Sequence, residues 1–298
     1  MARYDANEGR DTPFNTGLDR GWKGVNMRLN PELLPPGWAS EAVNTRFRFG
    51  TPEPRGGFMR LPWMQRIDTG TVPISVNPWG IIQGMDRYSD PATGQDYLIV
   101  AAGGSVYACT QNNVCLPVTL PAGETLPATV RFTQCFNVLV MWRGKSQQPL
   151  TLTSVSAGFK LITPTPSGIG VLTIPNADRG IFVGGRLWTF VGDTVYASDV
   201  GDYTRYSIFN QWRINQGTSD TITVLAKFND DTIVIFKERS IYALTGAVGQ
   251  VDSYGNLASI QVDLTTNQYG CIAPDSVQQV GSDIWFLSHL GVMSLRQT

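Results

Sequence analysis

The chain is poor in the groups that acid–base and metal chemistry need. It holds one histidine, His289, in 298 residues. A multi-histidine metal centre is therefore excluded, and any Ser-His-Asp triad would have to use that one side chain. His289 sits in a turn between two apolar runs and is expected to face solvent. Charge is scarce as well: Asp, Glu, Lys and Arg make up 16% of residues, and the formal net charge is −1. Soluble domains usually carry about a quarter charged residues. No block of Lys and Arg exists that could neutralise a run of phosphates, so tight nucleic-acid binding is not expected. Arg46, Arg48, Arg55 and Arg60 lie close together, but Phe47, Phe49 and several glycines interrupt them. They read as a solvated or interface-pairing stretch.

Other absences narrow the field further. No apolar run approaches the roughly 18 residues that span a bilayer, so no membrane insertion is expected. The opening MARYDANEGRD has no apolar stretch of the signal-peptide kind, which points to synthesis and retention in a cytosol-like compartment. The cysteines are Cys109, Cys115, Cys135 and Cys271. Cys109 and Cys115 flank an Asn-Asn turn, and without a secretory signal the expectation is reduced, packing thiols rather than disulfides. No paired CxxC and no GxxxxGK[ST] phosphate loop occurs. Asp90, Asp193, Asp230, Asp231 and Asp252 occupy turn-like positions, where the carboxylate bonds nearby backbone N–H groups. On these grounds the chain is expected to be no enzyme, with no cofactor, no metal and no catalytic residue assigned.

What is plentiful is glycine, at 31 residues, and apolar side chains, at 42%. Two regions use them differently. Residues 1–70 are broken by Gly and Pro yet carry Trp22, Leu33, Leu34, Trp38, Phe47 and Phe49. A disordered tail would lack such residues, so this reads as an extended N-terminal segment that docks through them, either on its own domain or on a neighbouring subunit. Glu41 to Arg46 reads as one short helix or as the entry to a strand.

Residues 71–298 read as short strands in hairpins. The clearest pairs are Tyr97–Ala102 with Ser105–Cys109, Asn137–Trp142 with Pro149–Thr153, Gly185–Val191 with Thr194–Ser198, Asp231–Phe236 with Ser240–Leu244, and Asp283–Leu287 with Val292–Leu295. Gly103-Gly104 and Gly192-Asp193 are turn pairs of the kind that tight hairpins require. Three hairpins close on one phrase: Val106-Tyr107-Ala108, Val195-Tyr196-Ala197 and Ile241-Tyr242-Ala243; the fifth has Val292-Met293-Ser294 there. The units recur roughly every 40 to 50 residues, the period of propeller blades. Thr129 to Phe132, Gly180 to Val183, Ile222 to Phe228, Ala258 to Leu264 and Ser276 to Val280 supply further strands. The fold class is therefore all-β, a β-propeller-like array of antiparallel hairpins behind an extended Gly/Pro-rich segment. Tyr107, Tyr196 and Tyr242 are expected to pack between blades. Five units leave closure open: a strand from 72–88 completes the last blade, or the sequence is incomplete, or the array stays open.

Two segments resemble β-propeller proteins of tailed-bacteriophage virions, above all the tail tubular or nozzle proteins of short-tailed phages. One is Gly24-Val-Asn-Met-Arg-Leu-Asn-Pro-Glu-Leu-Leu-Pro-Pro-Gly-Trp-Ala-Ser-Glu-Ala-Val-Asn44 with the Arg/Phe/Gly stretch that follows. The other is Gly184-Gly-Arg-Leu-Trp-Thr-Phe-Val-Gly-Asp-Thr-Val-Tyr-Ala-Ser-Asp-Val-Gly-Asp202. The resemblance implies a structural virion protein of the tail: nozzle, hub, adaptor or baseplate. It implies a cyclic ring of identical subunits, with sixfold symmetry, contacting neighbouring tail, adaptor or fibre proteins. DNA would pass the ring without specific binding. The implied locations are the virion tail and, during assembly, the host cytoplasm. Two other readings stay open: a receptor-binding or fibre-attachment module, and a propeller hydrolase acting on polysaccharide through paired carboxylates.

Overall fold

The computed structural model describes residues 80–296 except 112, 113, 163–169, 250, 252–255 and 258, together with the backbone of a few short strands before residue 67. The chain divides into two compact units, Met1–Leu61 and Pro62–Thr298. In the first, Gly24–Val25 pairs in parallel with Trp38–Ala39, and Thr45–Arg48 forms an antiparallel hairpin with Thr51–Pro54. Of the Glu41 to Arg46 stretch, Thr45 and Arg46 lie in a strand, and the rest lies outside the described residues. Trp22, Leu33, Leu34 and Phe49 lie outside the described residues, and only the backbone of Trp38 and Phe47 is described.

The second unit is built of five sheets taken in chain order. Blade 1 runs from Ile82–Asp90 through Gln95–Ala102 and Ser105–Cys109 to Val114–Val118, with Gln65–Arg66 added in parallel at its outer edge. Blade 2 comprises Arg131–Cys135, Val138–Trp142, Leu150–Leu152 and Phe159–Leu161. Blade 3 comprises Gly180–Val183, Arg186–Val191, Thr194–Asp199 and Asp202–Arg213, with Val171–Leu172 at the edge. Blade 4 comprises Ile222–Lys227, Thr232–Lys237, Ile241–Thr245 and Gln261–Thr266. Blade 5 has three strands among the described residues: Gln278–Val280, Asp283–Ser288 and Gly291–Leu295. The only helical element among the described residues is the 3-10 turn Pro274–Ser276, and no helix there is long and apolar enough to cross a membrane.

Local chemistry explains the hairpins. Gly103 and Gly104 both take positive φ, 57° and 81°, which the primed turn of a tight hairpin demands and glycine adopts without a Cβ clash. Each of the five hairpins lies where the alternating apolar runs place it. Of the region 72–88 offered for closing the last blade, Ile82–Tyr88 belongs to the innermost strand of blade 1, and residues 72–79 lie outside the described residues.

Cores lie between successive blades, not within them. Separate apolar clusters join blade 1 to 2, 2 to 3, 3 to 4 and 4 to 5. The repeated phrase explains why. Val106, Val195 and Ile241 each point toward the following blade and are at most 1% exposed. The next residue in the phrase points back: Tyr196 packs on the core with blade 2, Tyr242 on that with blade 3, Met293 on that with blade 4. Tyr107 is buried on the equivalent face of blade 1. The tyrosines are packing residues.

The cysteines depart from expectation. Cys109 and Cys115 form a disulfide. They are direct cross-strand partners on antiparallel strands, so the hairpin itself sets the two Cβ atoms side by side. An argument from compartment could not see that register. Cys135 and Cys271 are free and buried, as expected.

Candidate functional site

The first strand of every blade lies innermost, and together these five strands wall a cavity of about 660 Å³. Close approach of the strands is built in. A Cβ on Gly84 would lie 2.2 Å from the Val130 carbonyl oxygen of blade 2, and one on Gly180 would lie 2.3 Å from the Trp142 ring. Only glycine lets the backbones meet there.

The cavity carries one ion cluster that draws on three blades. Arg131 opens the first strand of blade 2, and Arg179 directly precedes that of blade 3. Asp275 lies in the 3-10 turn ahead of the first strand of blade 5. Arg131 donates to both Asp275 carboxylate oxygens, Nε at 3.0 Å and Nη2 at 2.7 Å. Arg179 Nη1 donates to Asp275 Oδ1 at 3.0 Å. The Arg131 guanidinium first, aided by Arg179, holds the Asp275 carboxyl below the usual range. Burial, and then repulsion from Arg131, lowers the Arg179 pKa. Arg179 Nε is buried and has no hydrogen-bond partner. A fourth blade adds Lys227, which pairs with Asp230 at 2.6 Å. Blade 1 adds Asp86, whose carboxyl is pushed up by desolvation at the cavity wall.

A second feature is a set of exposed apolar residues on the outer faces of blades 5 and 1. On blade 5, register pairs Leu287 with Val292 and Val280 with Asp283. Trp285, Leu287, Val292 and Val280 therefore share the face opposite the Ile284 and Phe286 core. All four are solvent-exposed, Val292 to 66%. On blade 1, Ile82, Met85 and Leu98 are exposed at the margin of a face on which Val100, Ala102 and Tyr107 are buried. Among the described residues no apolar cluster joins blade 5 to blade 1.

The turn carboxylates serve local structure. Asp90 accepts from the N–H of Ala92 and, across to blade 2, of Val155. Asp231 accepts from the N–H of Gly246 and Val248. Asp193 does more than expected: the fully buried Lys237 ammonium of blade 4 reaches it at 3.2 Å. His289 is exposed. No group of three or more His, Cys, Asp or Glu lies together among the described residues.

Sequence reading missed Arg131, Arg179 and Asp275 because Asp275 lies 144 residues from Arg131 and 96 from Arg179. The available signal was positional, since each stands at or just before the first strand of a blade.

No family model and no curated protein matches the sequence. Solved structures do match in shape. The chain superposes on the protein described as "YCF48 bound to D1 peptide" with a TM-score of 0.50 at 11% identity, over 76% of this chain and 68% of that one. The fold is a β-propeller. Virginiamycin B lyase from Staphylococcus aureus aligns at a TM-score of 0.44 and 12% identity, over 76% of this chain and 72% of that one. PorZ of Porphyromonas gingivalis aligns at 0.42 and 17%, over 74% and 28%. Identities this low carry the fold alone.

Proposed function

We propose that the chain is a structural subunit of a phage tail and that its work is assembly. In this reading it joins identical copies in a cyclic ring that helps build the conduit for outgoing DNA. The observation that carries the reading is the uncovered face of blade 5. Val292 stands where Val106, Val195 and Ile241 each bury against the next blade, so its face has the shape and chemistry of a blade contact. Exposed Ile82, Met85 and Leu98 at the other end of the array give a second, different apolar face. Two different faces are what a heterologous contact between identical subunits uses, and such contacts close into a ring when the rotation from one subunit to the next closes. Contiguous apolar patches of this kind mark interaction sites. The low charge fraction agrees, because the centres of protein interfaces are depleted in charge. The tail location rests on the resemblance of the Gly24–Asn44 and Gly184–Asp202 segments to virion propeller proteins.

Imaging a phage particle that carries this chain tests the reading. The expected result is density for the chain in a symmetric ring of the tail, with the outer faces of blades 5 and 1 inside contacts. Absence from the particle would overturn it. So would saturable hydrolysis of a glycan at the axial cavity, where Asp86 and Asp275 both lie.

A further inference from the structure

The axial ion cluster sets two arginines against Asp275, with Asp178 acting on Arg179 as a second carboxylate, and it leaves one arginine donor unused. Two guanidinium groups share the single Asp275 carboxylate. Asp275 takes both hydrogen bonds of Arg131 but only one of Arg179, whose Nε points from a buried position to no acceptor. Burying an unpaired donor of a charged group is unfavourable unless something fills the place. Arg131 and Arg179 also repel one another, which is part of why Arg179 holds its proton less tightly. Both arginines line a cavity of about 660 Å³, large enough for a small molecule. Planar guanidinium forks match the oxygens of phosphate and carboxylate groups. Arg131 lies in a strand and Arg179 immediately before one. Val130 beside Arg131 sits in the core between blades 1 and 2, and Gly180 beside Arg179 is pinned against Trp142.

We propose that the axial cavity binds a small oxyanion, a phosphate or carboxylate group, on Arg131 and Arg179, with Asp275 as the internal group that orients the pair and competes with the ligand. The competition gives the site a distinctive response. Replacing Asp275 with Asn frees both forks and removes one negative charge a few ångströms from the ligand, so affinity rises. A cluster that serves only to tie blades 2, 3 and 5 together has no ligand affinity to gain.

The test is calorimetric titration of the whole chain with inorganic phosphate and, separately, with succinate, in low-salt buffer with chloride as the control. Saturable binding of either one and not of chloride is expected, and the stronger of the two names the ligand's oxyanion. Arg179→Gln and, as a milder change at a more exposed residue, Arg131→Gln are expected to abolish the signal while circular dichroism stays β-rich. Asp275→Asn is expected to tighten binding roughly tenfold, the scale of one like-signed charge removed at short range. No saturable binding of either anion to the unaltered chain would overturn the proposal. Binding that survives in both arginine variants would do the same. Unchanged or weaker binding in Asp275→Asn would overturn the competing role assigned to Asp275.

Discussion

Val292 stands in the fifth hairpin where Val195 stands in the third, yet Val195 is completely buried and Val292 is 66% exposed. The two have the same side chain, the same hairpin position and the same orientation toward the following blade. They differ in whether, among the described residues, a following blade packs on them. Val195 meets blade 4 in the core that also holds Ile233 and Leu244. Truncating each to Ala should separate the two cases in urea unfolding of the isolated chain. Val195→Ala should cost about 2 kcal/mol, for lost burial and the cavity left behind. Val292→Ala should change stability by less than about 0.5 kcal/mol.

Gly180 should tolerate no side chain. Besides the Trp142 ring, its added Cβ would meet the Trp188 carbonyl oxygen at 2.7 Å. Neither neighbour is the loose end of a flexible chain, since both tryptophans are fully buried. Gly180→Ala should therefore destabilise by about 2 kcal/mol or more through overpacking, read as a lower urea midpoint. A midpoint equal to that of the unaltered chain would show that the strands of blades 2 and 3 can part freely.

The Asp275 cluster predicts a definite pH response. The arginines lower its carboxyl below the ordinary 3.8, so folding favours the ionised form. That contribution is fully present above the unfolded-state value and is lost as pH falls through the lower folded-state value. Asp275 is largely exposed, and solvent screens the pair. Thermal melts from pH 5 down to pH 2 should show this loss in the unaltered chain, and Asp275→Asn should remove that part of the slope. An identical slope in both would place the acid sensitivity elsewhere.

Cys135 and Cys271 should be inert while the chain is folded. Burial pushes the Cys135 thiol up to about 12 and raises Cys271 as well, so neither supplies the reactive thiolate near neutral pH. A thiol reagent at pH 8 should label neither at an appreciable rate until denaturant is added, and should then label two thiols. Fast labelling without denaturant would contradict the packing of Cys135 between blades 2 and 3 or of Cys271 between blades 4 and 5.

The hairpins were legible because turn glycines and alternating apolar runs are local signals. Gly180–Val183 and Ile222–Lys227 fall within the stretches read from sequence. The longest strand, Asp202–Arg213, was not legible. It pairs with Thr194–Asp199 through register shifts between Tyr196 and Asp199, and a bulge of that kind breaks the alternation a strand is recognised by. The Cys109–Cys115 bond was missed because cross-strand register, not spacing, brings the two together. The ion cluster was missed because its members come from three blades. The uncovered face was half legible: the phrase Val292-Met293-Ser294 marked a blade position, but its lack of a neighbour is a property of the assembled array.

The most direct test of the assembly account is the solution mass of the chain, measured by light scattering after size exclusion, beside that of a Trp285→Asp, Val292→Asp double variant. Both substitutions fall on exposed positions of blade 5, so the variant should keep its β-rich spectrum. The account predicts a concentration-dependent cyclic oligomer for the unaltered chain and a monomer for the variant. A monomer for the unaltered chain at every concentration, or an unchanged oligomer for the variant, would contradict it.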